Sequence, residues 1–307
     1  MTAIVLQMAA LIFCGLFWRI IKPGGLEAEP TRQAVTGVVY YLLLPALVLD
    51  VLAKTPLGVD TARISALGVV CILFMTAVGW LVYKAVRMPR PQIGAAILAL
   101  AFPNVTFLGL PVLRETFGDW ARAVAIQIDL FATLPLVLTL AVSIARRHGA
   151  DDGRRDSILL GMARVPALWA ALLTTLLGGL GLSLPVWLAK LAELLGGAAA
   201  PLMLLSLGLS LRLDVLKGRY LLVLAPVLLL KLLVMPFLAW RLAPLLGFEG
   251  EMLRAVVLET AMPSMVVGIV LCDRFRLDGS LYAMAVTLTT LLSMETLPLW
   301  YRWMGAP

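Results

Sequence analysis

At 307 residues, with 62% hydrophobic residues, 14% charged residues and a mean hydropathy of +0.99, the chain is far too apolar for a soluble domain, which averages about 45–50% apolar and 25% charged. The composition specifies an all-α polytopic membrane protein embedded in a lipid bilayer. Its net charge of +7 lies in short basic clusters between apolar runs, as orientation signals do, which argues against a nucleic-acid partner.

With about 20 apolar residues per span, helices are expected at roughly 2–21, 34–53, 63–85, 92–117, 119–145, 157–180, 186–211, 219–246, 251–272 and 278–304. The first lacks a basic stretch ahead of its apolar run, and Arg19 and Lys22 follow it, so it reads as a retained helix rather than a cleaved signal peptide. Cys14, Cys71 and Cys272 fall within or beside apolar runs and are expected to be small core residues.

The fourth and ninth spans are interrupted. Ala99-Leu-Ala-Phe-Pro-Asn-Val-Thr-Phe-Leu-Gly109 and Glu259-Thr-Ala-Met-Pro-Ser-Met-Val-Val-Gly268 each place a proline and polar residues in mid-run. Hydrocarbon offers no water to a disrupted backbone, so such a break persists only inside protein or beside a wet cavity. A single kink is commonly structural; two at corresponding positions point to a transport site.

The two halves repeat. Ala101-Phe-Pro-Asn-Val lies over Ala261-Met-Pro-Ser-Met, and Ala132-Thr-Leu-Pro-Leu over Glu295-Thr-Leu-Pro-Leu. This divides the chain into a first repeat (1–145), a cytoplasmic linker (146–156) and a second repeat (157–307). Five spans per half is an odd number, so the second half enters from the opposite side as an inverted repeat. One set of loops carries Arg19, Lys22, Arg32, Lys84, Arg87, Arg90, the arginines of the linker, Arg212, Lys217, Arg219, Arg274 and Arg276. That bias puts both termini outside.

Four stretches carry a resemblance: Pro103-Asn104 followed by Phe107-Leu-Gly-Leu-Pro111, Ala200-Pro-Leu-Met-Leu-Leu-Ser-Leu-Gly-Leu-Ser210, Leu232-Leu-Val-Met-Pro236, and Thr260-Ala-Met-Pro-Ser264. Through them nearly the whole chain resembles the auxin efflux carrier family, whose bacterial relatives are described as carriers of malonate or other organic acids. The resemblance implies ten helices in two inverted five-helix repeats, similar in outline to bile-acid sodium symporters, with the fourth and ninth helices crossing at the membrane centre. It further implies a scaffold of helices 1, 2, 6 and 7, a mobile, elevator-like transport domain of helices 3–5 and 8–10, and a homodimer formed through the scaffold. Many relatives carry an asparagine near the ninth-helix proline, where this chain has Ser264.

The chemistry of a crossing follows from proline, which lacks an N–H and clashes with the carbonyl four residues back. Pro103 frees the carbonyl of Ala99, and Pro263 frees that of Glu259. Helix halves starting after each proline present N–H groups and a positive dipole end to an anion. Asn104, Thr106, Thr260 and Ser264 add neutral donors and acceptors, so Pro103, Asn104, Thr106, Thr260, Pro263 and Ser264 form the candidate substrate site. Such a site suits a small carboxylate.

Charges inside a bilayer cost about 2.5–3.5 kcal/mol each at a helix centre and usually serve a function. Asp129, Lys231, Glu259 and Glu295 are the ion-coupling candidates, with Glu259, one turn before Pro263, the proton acceptor. The structural alternative is a buried ion pair of Lys231 with Asp129 or Glu295. A sodium-coupled reading uses Gln127 and Asp129 as oxygen ligands. His148, the sole histidine, and Asp151-Asp152 read as solvated linker residues, and Gly196-Gly-Ala-Ala-Ala200 as a helix-packing or dimerisation stretch.

The sequence therefore points to a secondary transporter of small organic anions in a bacterial inner membrane, working by alternating access with proton or sodium coupling. No cofactor or metal is expected. An intramembrane enzyme is the rival class, but one histidine rules out a His-Glu-x-x-His zinc site and no paired aspartates lie within a span. A channel would need repeated pore-lining charges.

Overall fold

The computed structural model describes residues 2–55, 58–85, 88–150, 157–213 and 220–305. Among them the regular structure is helical: α1 (Thr2–Ile21), α2 (Ala28–Lys54), α3 (Val59–Ala85), α4 (Arg90–Ala101), α5 (Leu110–Phe117), α6 (Asp119–His148), α7 (Ile158–Ala163), α8 (Pro166–Gly179), α9 (Val186–Ser210), α10 (Leu221–Leu246), α11 (Gly250–Thr260), α12 (Gly268–Arg274) and α13 (Gly279–Trp303). Five of these, α2, α3, α6, α9 and α10, are long and apolar enough to cross a membrane. Exposed Trp187 and Leu194 of α9 and Leu222 of α10 lie on their outward faces, the surface expected against lipid.

Helices begin and end close to the expected positions, with three informative differences. α2 starts at Ala28, ahead of its apolar run, because Glu29, Arg32 and Gln33 hydrogen-bond at i,i+3 and i,i+4 spacing and extend the helix into a polar turn. α6 continues to His148, with Arg146, Arg147 and His148 in its last turn, where positive charge favours the helix dipole. The sixth expected span is divided into α7 and α8, since Pro166 opens α8 and holds Val165 extended. Asp151, Asp152 and the arginines Arg87, Arg154, Arg155 and Arg219 lie outside the described residues, as does Lys217.

Prolines also shape the helices from within. The π-helical turns Val39–Leu43, Val105–Gly109, Asp129–Thr133 and Leu230–Val234 each precede a proline by one residue: Pro45, Pro111, Pro135 and Pro236. A proline ring collides with the carbonyl one α-turn back, and widening that turn relieves the collision while keeping the chain helical.

Packing sorts the helices into two groups: α1, α2, α8 and α9 lie against one another, as do α3, α4, α6, α10, α11 and α13. The seam between α1 and α9 is closest where Gly15 faces Gly208. A methyl group on Gly208 would collide with the Ile12 carbonyl and stand 3.0 Å from the Gly15 Cα, so the backbones touch directly. Gly196, in the small-residue stretch of α9, lies over Leu47 of α2, with 3.1 Å from an added Cβ to the Leu47 Cα. Cys71 and Cys272 are buried, whereas Cys14 is exposed on the outer face of α1, contrary to expectation. A cysteine there shares the apolar exterior, which in a membrane needs no polar character.

Candidate functional site at the crossed breaks

α4 stops at Ala101 and α11 at Thr260, and the two interrupted segments meet. Pro103 and Ser264 form an antiparallel bridge. The Asn104 N–H donates to the Pro263 carbonyl at 2.8 Å, and the Met265 N–H donates to the Phe102 carbonyl at 3.0 Å. Each break therefore supplies hydrogen-bond partners for the other, which is how irregular backbone is tolerated at this depth.

Side chains complete the arrangement. The Ser264 hydroxyl donates to the Ala99 carbonyl at 2.7 Å, the group that Pro103 leaves without its helical partner. The Ser264 N–H donates to Thr289 Oγ1 of α13 at 3.1 Å. Tyr282 donates from its hydroxyl to the Met265 carbonyl at 2.6 Å, and Gly268 leaves the space for that ring. The Glu259 carbonyl, freed by Pro263, accepts from the Met262 N–H at 3.3 Å.

Of the expected substrate-site residues, Pro103, Asn104, Pro263 and Ser264 are thus brought together. The Asn104 N–H and the Ser264 hydroxyl are occupied by the crossing itself, and the Ser264 N–H by Thr289 of α13. Thr260 bonds locally to the Val257 carbonyl at 2.8 Å, and Thr106 donates to Asp129 Oδ2 at 2.6 Å. Asn104 is different: it is buried, and its side-chain Nδ2 lacks a partner among the described residues.

The coupling candidates also separate. Glu259 is fully buried with both carboxyl oxygens unpartnered among the described residues, and its carboxyl lies against the bare Cα of Gly109 at the end of the π-turn in the other break. Asp129 begins the π-turn of α6, half-buried and held by Thr106. Lys231 is fully buried in α10, and its Nζ donates to Met235 Sδ at 3.2 Å. Among the described residues it makes no salt bridge, so the alternative of a pair with Asp129 or Glu295 is absent there: Thr106 holds Asp129, and Glu295 is exposed on α13. Gln127 is buried, and its Oε1 lacks a partner among the described residues.

Two features at opposite ends of α2 frame this centre. At its Asp50 end, Arg122 of α6 donates to Asp50 Oδ2 at 2.9 Å, with both side chains buried. Lys54 reaches Asp50 Oδ1 at 2.6 Å and Glu193 of α9 at 3.4 Å, while Asp119 bridges Arg114 and Arg122. At the Glu29 end a cavity of about 550 Å³ opens between α1, α2 and α9 on one side and α12 and α13 on the other, and reaches Val266 beside the ninth-span break. Spacing alone gives no reason to pick out Asp50 with Arg122. The one usable sign is an aspartate placed inside the second apolar run.

A family model described as membrane transport protein matches residues 2–152 and 154–301. An uncharacterized transporter of Methanocaldococcus jannaschii is 30% identical over 305 residues, covering 97% of this chain and 96% of the relative. One from Methanothermobacter thermautotrophicus is 29% identical, with 97% of each chain covered. The uncharacterized transporter YfdV of Escherichia coli is 23% identical over 281 residues, covering 89% and 88%. With breaks paired in the manner its resemblance implied and a match along almost its whole length, the chain belongs to the membrane transport protein family, that of the auxin efflux carriers.

Proposed function

We propose that the protein is a secondary carrier of small organic anions, built as two inverted five-helix repeats and working by alternating access around the crossed breaks. The observation that carries this reading is a pair of buried groups at the crossing without partners among the described residues: the Asn104 amide, a donor suited to a carboxylate, and the Glu259 carboxyl. A fully buried carboxyl without hydrogen bonds is stable only when neutral or when a cation joins it. Glu259 therefore takes up and releases the coupling proton. The cavity at the Glu29 end and the ion-paired closure at the Asp50 end fit a conformation open toward the linker side, which we assign to the cytoplasm of a bacterial inner membrane, with both termini outside.

Gln127 Oε1, two residues before Asp129 in the chain and without a partner among the described residues, supports a second reading in which sodium replaces the proton. Counterflow in proteoliposomes tests the main reading. Wild-type protein loaded with unlabelled carboxylate accumulates labelled carboxylate, and Asn104→Ala abolishes the signal. Exchange unchanged in Asn104→Ala sinks the assignment of that residue; sodium dependence that survives in Glu259→Gln favours the second reading.

A further inference from the structure

The cavity at the Glu29 end has two unlike walls. Val266 and Ile269, with Ala283 and Val286 of α13, give one wall an apolar stretch, flanked there by Asp273, Ser280 and Tyr282. The opposite rim is polar, with Arg19 at the end of α1, Arg32 near the start of α2, and Ser210 and Arg212 at the end of α9. Glu29 and Asp273 also line it, so among the described lining residues three guanidinium groups face two carboxylates.

These charges are not equivalent. Arg32 grips Glu29 through Nε at 3.1 Å and Nη2 at 2.5 Å, and Gln33 donates to the same carboxylate at 3.2 Å. That pair satisfies itself. Arg19 is held differently: its Nη2 donates to the Leu209 carbonyl at 2.9 Å, which fixes the side chain against the end of α9. Its Nε is shut off from solvent and has no hydrogen-bond partner among the described residues. A guanidinium is never deprotonated, and its planar fork matches a carboxylate. Arg19 is therefore a positioned cation lining a cavity that reaches Val266 beside the ninth-span break.

We infer that Arg19 is a carboxylate-docking residue, separate from the crossing, which receives the anionic group of the transported solute on the cavity's polar rim while the apolar stretch accommodates its uncharged part. This rests on the reading of the protein as an organic-anion carrier. The docked anion lies between α1 and α12 and is then handed to Asn104 as the cavity closes. Arg19 thus governs capture, and the crossing governs translocation.

The test uses full-length protein in phosphatidylcholine vesicles. A panel of C3–C6 mono- and dicarboxylates is first screened for counterflow with wild-type protein, and the best substrate is carried forward. Arg19→Gln then raises the half-saturating concentration about tenfold or more, the loss of one charge-assisted hydrogen bond, while the maximal exchange rate stays within about twofold. Arg19→Lys, which keeps the charge without the fork, recovers part of the affinity. Because Arg19 also anchors Leu209, thermal stabilisation by the same carboxylate is read against each variant's own unliganded melting temperature, and that shift falls in Arg19→Gln. An unchanged half-saturating concentration, or a lower maximal rate with affinity intact, overturns the inference. Absence of wild-type exchange for every carboxylate instead overturns the organic-anion reading beneath it.

Discussion

The Ser264 hydroxyl donates to the Ala99 carbonyl at 2.7 Å, so a residue of one broken span answers the carbonyl that the proline of the other leaves open. Ser264 is fully buried, and water has no access to replace it. Ser264→Ala is expected to leave that carbonyl unsatisfied and to lower stability by about 1–3 kcal/mol. A thermal melt of the purified protein in detergent checks this. An unchanged melting temperature would mean that the two breaks hold together through backbone pairing alone.

The seam at Gly15 and Gly208 leaves no room for a side chain. Gly208→Ala should force α1 away from α9 and destabilise the protein by about 1–3 kcal/mol, the usual cost of overpacking. The same change at Gly197, which faces open space on α9, is the control and should be close to neutral. Equal melting temperatures for the two variants would contradict the close approach.

Arg122 and Asp50 are both buried, and removing one leaves the other with only a more exposed partner, Asp119 for Arg122 and Lys54 for Asp50. Asp50→Asn is expected to cost about 3–5 kcal/mol, as breaking a buried pair does. Adding Arg122→Gln should return part of that loss, and a double-mutant cycle measures the coupling. Additive effects of the two substitutions would show that the pair does not interact energetically.

Glu259→Gln keeps the size of the side chain but cannot take up a proton. Uptake driven by an imposed pH gradient should disappear, while exchange of internal for external substrate continues. Gradient-driven uptake at the wild-type level in this variant would remove Glu259 from the coupling step.

How much of this was legible in the sequence depended on whether neighbours in space were neighbours in the chain. Pro103 and Pro263 declared the two breaks because proline acts on its own backbone, at a fixed distance along the chain. The long apolar runs gave the helices for the same reason. Ser264 follows the second break's proline directly, yet its partner, Ala99, is 165 residues away. No spacing rule reaches that far. Asp50 with Arg122 and Arg19 with Leu209 are likewise long-range contacts. Lys231 shows the converse: a buried charge suggests a carboxylate partner, but packing placed its ammonium beside the Met235 sulfur four residues on. Glu295 looked buried because its run is apolar, and only the packing of α13 shows it turned outward.

The π-turn at Val105–Gly109 has one more effect. It inserts an extra residue into the winding of the chain, and one residue corresponds to ~100° of rotation about a helix axis. A helical wheel drawn without interruption from Asn104 through Phe117 would therefore assign later residues to the wrong azimuth. Deleting a single position within Val105–Gly109 would rewind the segment and swing Asn104 round relative to Leu110. The aim of the Asn104 amide is consequently set as much by the number of residues following it as by its own identity.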